Sequence, residues 1–249
     1  TEKVTRGEPI NTVLTGPLVW RAADLKEDDW KFCLDEACLN EIELAVAHHK
    51  SHRLPIELLD AGRFDMPCCQ IVMSKVREAL VAGCGFALVD RLPMDRLHSE
   101  DAKLSYWLLS SMISRPVAQK LDGTMIYDVQ DTGKKAVAGS GVRPDKTNID
   151  LTFHNALLKR DPDVLPRLYE PFIFDRQREH LENDPPTISE PVFINKGGLT
   201  ARLGIHQVRN GYEMQNAEMD ESTRKAISAL ERVFADPDLQ FHFTMSAGQ

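Results

Sequence analysis

The stretch Asn148–Leu165, NIDLTFHNALLKRDPDVL, decides how this chain is read. Its first half alternates. Ile149, Leu151 and Phe153 fall on one face of an extended strand, and Asp150, Thr152 and His154 on the other. Such a strand buries one face and shows a polar row that ends on His154. The second half reads at once as the start of a helix, with no turn residue between the two. A lone histidine on a strand is usually packed and hydrogen-bonded, and the residues alone lean toward that structural role. The other role is that of a presented site residue, because a Gly- and Lys-rich segment, TGKKAVAGSGVRPDK, lies just upstream and reads as a mobile loop.

Outward from this stretch, the opening third is mostly helical. KEDDWKFCLDEACLNEIELAVAHHK carries acids early and His48, His49 and Lys50 late, which complements a helix dipole. PCCQIVMSKVREALVAG sets Ile71, Val72, Val76, Leu80 and Val81 on one helical face, and Gly83 stops it. Phe86–Val89 is a short apolar run of strand type, and DRLHSEDAKLSYWLLSSMIS is a further helix. Beyond it the texture shifts to short strands: Met125–Val129, PFIFDRQ, PVFIN, LTARLGIHQV and LQFHFTM. MDESTRKAISALERVFADPD interrupts them as a helix capped by Asp220, with Ile227, Leu230, Val233 and Phe234 at helical spacing. Helices early and strands late predict an α+β fold. A single domain would then span residues 1–249, with a mostly helical part over 1–120 and a β-core over 121–249.

Composition narrows the function classes. With 30 Lys+Arg against 38 Asp+Glu the net charge is −8, the opposite of a nucleic-acid-binding stripe. No apolar run spans a bilayer, and TEKVTRGEPINTV has no signal-peptide core, so no membrane partner is expected. Five cysteines without paired metal-ligand spacing predict reduced thiols and a cytoplasmic protein.

Several clusters have a bland reading beside a chemical one. His48, His49 and His52 match no zinc spacing and read as a solvated helix end. TGKKAVAGSG has the glycines of a phosphate cradle but not their order with lysine. Cys68-Cys69 lacks a basic partner and reads as ordinary thiols. Arg202 and His206, four residues apart, would share one strand face, lining either a pocket or the surface.

The order of segments from about residue 83 to the end resembles the taurine-dioxygenase-like family of iron(II)/2-oxoglutarate oxygenases. The matching stretches are GFALVDRLP, SRPVAQKLDGTMIYDVQDTG, GVRPDKTNIDLTFHN, NALLKRDPDVLPRLYEPFIFDR, PVFINKGGLTARL and ALERVFADPDLQFHFTMSAGQ. The resemblance implies a double-stranded β-helix, a jelly-roll relative, flanked by helices. It implies iron(II) and 2-oxoglutarate as cofactors, with O2 and a small acid, amino acid or related metabolite as substrates. An unactivated C–H would be hydroxylated, in a protein compatible with a homo-oligomer. The iron would sit in a triad of two histidines and one carboxylate. Phe153-His154 matches the start of the histidine-x-acid motif, which makes His154 the first iron ligand. Tyr127, Asp128 and Asn148 fall where family members approach substrate, and each reads equally as a strand, turn or capping residue. The Lys134–Lys146 loop would cover the pocket.

The chain also departs from the pattern. Ala156 stands where the motif needs its acid. NALLKRDPDVL resembles a family segment found well downstream, and FTMSAGQ resembles the lead-in to the second histidine and an arginine for 2-oxoglutarate. The resemblance therefore implies a stretch closed up near Asn155 and a continuation past Gln249. Its rival is a non-catalytic small-molecule-binding protein on the same fold with a lost metal site.

Overall fold

The computed structural model describes residues 7–126, 149–242, 246 and 248. Two compact units divide the chain. One takes residues 25–119, 123–127 and 242–249, and the other residues 1–24, 120–122 and 128–241.

The first unit is helical. Its opening segment is not one continuous helix: a single turn, α1 (Glu27–Trp30), runs into β1 (Lys31–Cys33), and α2 (Glu36–His52) begins afterwards. Asp35 sets that restart, because its carboxylate accepts the Cys38 amide at 2.9 Å and caps α2. Cys38, Ile42, Ala45 and Val46 recur at helical spacing and are buried. Helix α3 (Pro67–Val81) starts with proline in its first turn, where a missing N–H costs nothing. The Glu41 carboxylate of α2 accepts the amides of Cys68 and Cys69 at 2.8 and 2.9 Å, so one helix caps the next.

The buried face of α3 differs from the sequence expectation. Cys69, Met73, Val76 and Ala79 point inward, whereas Ile71 and Val81 are 60% and 72% exposed. Cysteine, methionine and alanine fill the core here, and a count of branched residues misses them. Strand β2 (Leu88–Asp90) pairs in parallel with β1, Phe32 opposite Val89, and α4 (Ser99–Ile113) closes the unit with Leu104, Trp107 and Leu108.

The second unit opens with α5 (Ile149–Arg160), the segment expected as a strand up to His154. The alternation over six residues is too short to distinguish the two periods. The helix wins because Phe153 and Leu157, four apart, are both buried against α8 (Glu221–Phe234) and its surroundings. Phe153 meets Phe234 edge to face at 4.9 Å. The missing turn is thereby explained: one helix runs through both halves.

Between these helices lie a short α6 (Leu165–Leu168) and two antiparallel hairpins. The first pairs β3 (Pro171–Asp175) with β4 (Thr187–Pro191), and the second pairs β5 (Phe193–Asn195) with β6 (Leu199–Ala201). Phe172 and Phe174 alternate into the core from β3. Helix α7 (Ile205–Met214) lies on β3 through Gly211, whose Cα faces the Ile173 carbonyl so closely that a Cβ would overlap it. Helix α8 carries the amphipathic pattern read from sequence, and Asp220 caps it by accepting the Thr223 amide at 2.6 Å. Arg160, at the end of α5, pairs with Asp236 past α8, while Arg232 of α8 pairs with Asp161 past α5 at 2.8 Å.

Two further strand expectations change. Arg202 and His206 do not share a strand face, because β6 ends at Ala201 and His206 belongs to α7. In LQFHFTM, Pro237–Leu239 form a 3-10 turn capped by Asp236, and Gln240–His242 lie outside any strand. Proline at the first position of that turn and the Asp236 cap stabilise the turn against the alternation. Among the described residues each sheet has two strands, and no helix is long and apolar enough to cross a membrane.

Candidate functional site

His154 sits in the middle of α5 and is fully buried. Its Nε2 lies 3.0 Å from the Tyr169 hydroxyl, beside the Phe193 ring at 5.3 Å between centroids. The Tyr169 hydroxyl also accepts the Ile10 amide at 3.3 Å. His154 Nδ1 has no hydrogen-bond partner. Burial holds the imidazole's pKa below its ordinary value, so the ring is neutral. Burial likewise raises the Tyr169 phenol.

The polar residues around His154 have a common use. Asn155 gives a two-point contact to Leu14: Oδ1 accepts its amide and Nδ2 donates to its carbonyl, both at 2.8 Å. Thr152 Oγ1 accepts the Trp20 amide at 3.2 Å. Through Thr152, Asn155 and the Tyr169–His154 pair, α5 holds residues 10–20 as a strap. The strap is extended chain with free backbone groups, and these side chains satisfy them where no sheet does. Sequence reading missed this role for Thr152, Asn155 and Tyr169. The one signal available was the polar character of residues that a buried helix face would otherwise lack.

This arrangement does not fit the iron centre that the resemblance implies. One imidazole nitrogen is occupied by Tyr169, and the ring is walled by Phe193. Ala156 supplies no carboxylate, and among the described residues no three His, Cys, Asp or Glu side chains gather as ligands. Tyr127, Asp128, Asn148 and the Lys134–Lys146 loop, with its glycines, lie outside the described residues.

The other candidates resolve into structural roles. His49 Nε2 meets the Leu54 carbonyl at 2.7 Å, and His48 and His52 stack at 4.4 Å, both at the end of α2. The five cysteines are free. Burial pushes the Cys38 thiol up to about 11 and Cys69 higher still, and the Glu41 carboxylate raises Cys68, so none is poised as a thiolate. The Arg202 guanidinium lies over the Phe174 ring at 5.3 Å, and His206 Nε2 sits 3.3 Å from the Asn210 amide nitrogen.

Arg167 is the other strongly held polar group in this unit. It lies over the Phe172 ring at 4.0 Å and donates to Thr223 Oγ1 at 2.8 Å, tying α6 to the start of α8. Neither known protein families nor curated proteins match this chain.

Proposed function

We propose that the chain is a small-molecule-binding relative of the taurine-dioxygenase-like proteins in which His154 serves the core rather than iron. The observation that carries this reading is the burial of His154 against Tyr169 and Phe193, with its Nε2 committed at 3.0 Å. A ligand histidine needs an exposed nitrogen aimed at an open coordination position and a hydrogen-bonded second nitrogen. His154 has the reverse: the bonded nitrogen points to a phenol and the other meets no partner. The ordered run of segments from GFALVDRLP onward supports the kinship and a ligand among small acids, amino acids and related metabolites.

The second reading is the iron(II)/2-oxoglutarate-dependent dioxygenase that hydroxylates such a molecule. The same ordered segments favour it. It requires a carboxylate and a second histidine from residues other than those described around His154. When bound, iron(II) and 2-oxoglutarate would supply the oxidising chemistry. Succinate release separates the two readings. The full chain is incubated aerobically with iron(II), 2-oxoglutarate and a panel of small acids and amino acids. The first reading expects no succinate above a protein-free iron control. Protein-dependent succinate release would overturn it in favour of the dioxygenase.

A further inference from the structure

The helical unit contains a groove of about 680 Å³, a size typical of small-ligand sites, between α3, α4 and the turns at Ile56–Leu58 and Ala61–Arg63. Its apolar lining includes Trp107, which is 5% exposed, together with Ala61 and Met112. Trp107 is anchored by its indole N–H, 3.5 Å from the Leu59 carbonyl. Two guanidinium groups line the same groove: Arg77 from α3 and Arg115 just past α4. Among the described residues neither has an ion pair or a hydrogen bond, whereas Arg96 of the same unit pairs with Glu36 and Glu43. The groove also carries Glu57 and Asp60, the latter partly used in accepting the Gly62 amide at 2.9 Å.

We infer that this groove binds a small organic carboxylate with an apolar body. Two uncommitted guanidinium groups offer fork-shaped donors that match a carboxylate, and the tryptophan wall takes the hydrocarbon. The carboxylates on the same rim disfavour a second negative charge, so monoanions and zwitterions are selected over dianions. The site is independent of His154 and of iron, so its failure leaves the reading of His154 untouched.

The test is calorimetric titration of the full chain with 3-phenylpropionate, phenylalanine and the amine 3-phenylpropylamine. Saturable binding of 3-phenylpropionate or phenylalanine is expected, with at least about tenfold weaker binding of the amine. Arg77→Gln and Arg115→Gln should each weaken binding about tenfold while the melting temperature stays unchanged, because both side chains are exposed and unpaired. Tighter binding of phenylalanine than of 3-phenylpropionate assigns the ammonium to Glu57 or Asp60 and supports the site. No saturation by either carboxylate, equal binding of the amine, or unchanged affinity in the double arginine variant would overturn it.

Discussion

His154 and Tyr169 are fifteen residues apart in sequence and share one buried hydrogen bond of 3.0 Å, and the phenol that completes it also accepts the amide of Ile10. One hydroxyl thus joins α5, the chain after α6 and the N-terminal strap. Removing it leaves a buried imidazole and an amide without a partner. Tyr169→Phe should therefore destabilise the protein by about 1–3 kcal/mol, read by denaturant unfolding, although the ring itself is preserved. An unchanged midpoint would mean that the hydrogen bond contributes nothing to stability.

The same pair sets a pH dependence. His154 is held neutral in the fold with its pKa below the ordinary value of 6.5. Above that value neither the folded nor the unfolded imidazole binds a proton, and the full stability is present. As pH falls below it, the unfolded state takes up a proton that the folded state refuses, so stability is lost until the folded pKa is reached. The slope from this one group is at most about 1.4 kcal/mol per pH unit. His154→Gln should flatten the unfolding profile just below neutrality. Identical profiles for both proteins would contradict the neutral assignment.

Asn155 fastens Leu14 through its amide and its carbonyl. Asn155→Ala should cost about 1–2 kcal/mol and open the strap before the rest of the unit. Limited proteolysis followed by mass spectrometry should show faster cleavage within residues 10–20. Cleavage at the wild-type rate would show that the strap is held without Asn155.

Gly211 lets α7 lie on the backbone of β3. Alanine is the better helix former by about 1 kcal/mol, yet its Cβ would overlap the Ile173 carbonyl, which cannot swing away as a side chain would. The overlap should win, so Gly211→Ala should lower stability by about 1–3 kcal/mol. A stabilised variant would show that α7 and β3 are not in this contact.

Asp220 caps α8, and the Thr223 amide and Ser222 hydroxyl hold its carboxyl down at about 2. Its contribution is present above the ordinary carboxyl value of 3.8 and fades as pH falls toward 2. Asp220→Ala should lower the melting temperature at pH 7 and leave it nearly unchanged at pH 2. Equal losses at both pH values would remove the capping explanation.

Long periodic segments were legible from sequence alone. Helix α8 with its Asp220 cap, α4, α3 and the strand in PFIFDRQ lie where pattern and punctuation put them, since each has enough repeats or a clear boundary. The decisive stretch was not legible. Ile149, Leu151 and Phe153 satisfy a strand period, while Phe153 and Leu157 satisfy a helical one, and only the packing partners choose. Arg202 and His206 failed for a related reason, as the break after Ala201 carries no proline to announce it. The polar set Thr152, His154 and Asn155 was visible, but its purpose depends on a strap more than 130 residues away in sequence, which no local pattern encodes.

The central claim is that His154 belongs to the core and not to an iron site. Thermal unfolding of the full chain, anaerobically, with and without excess iron(II) and 2-oxoglutarate, tests it most directly, because any ligand of the folded state raises the melting temperature by mass action. The account predicts no rise in the wild-type protein and a lower melting temperature for His154→Gln whether or not iron is present. A rise of several degrees in the wild type that vanishes in His154→Gln would contradict it and return His154 to the metal.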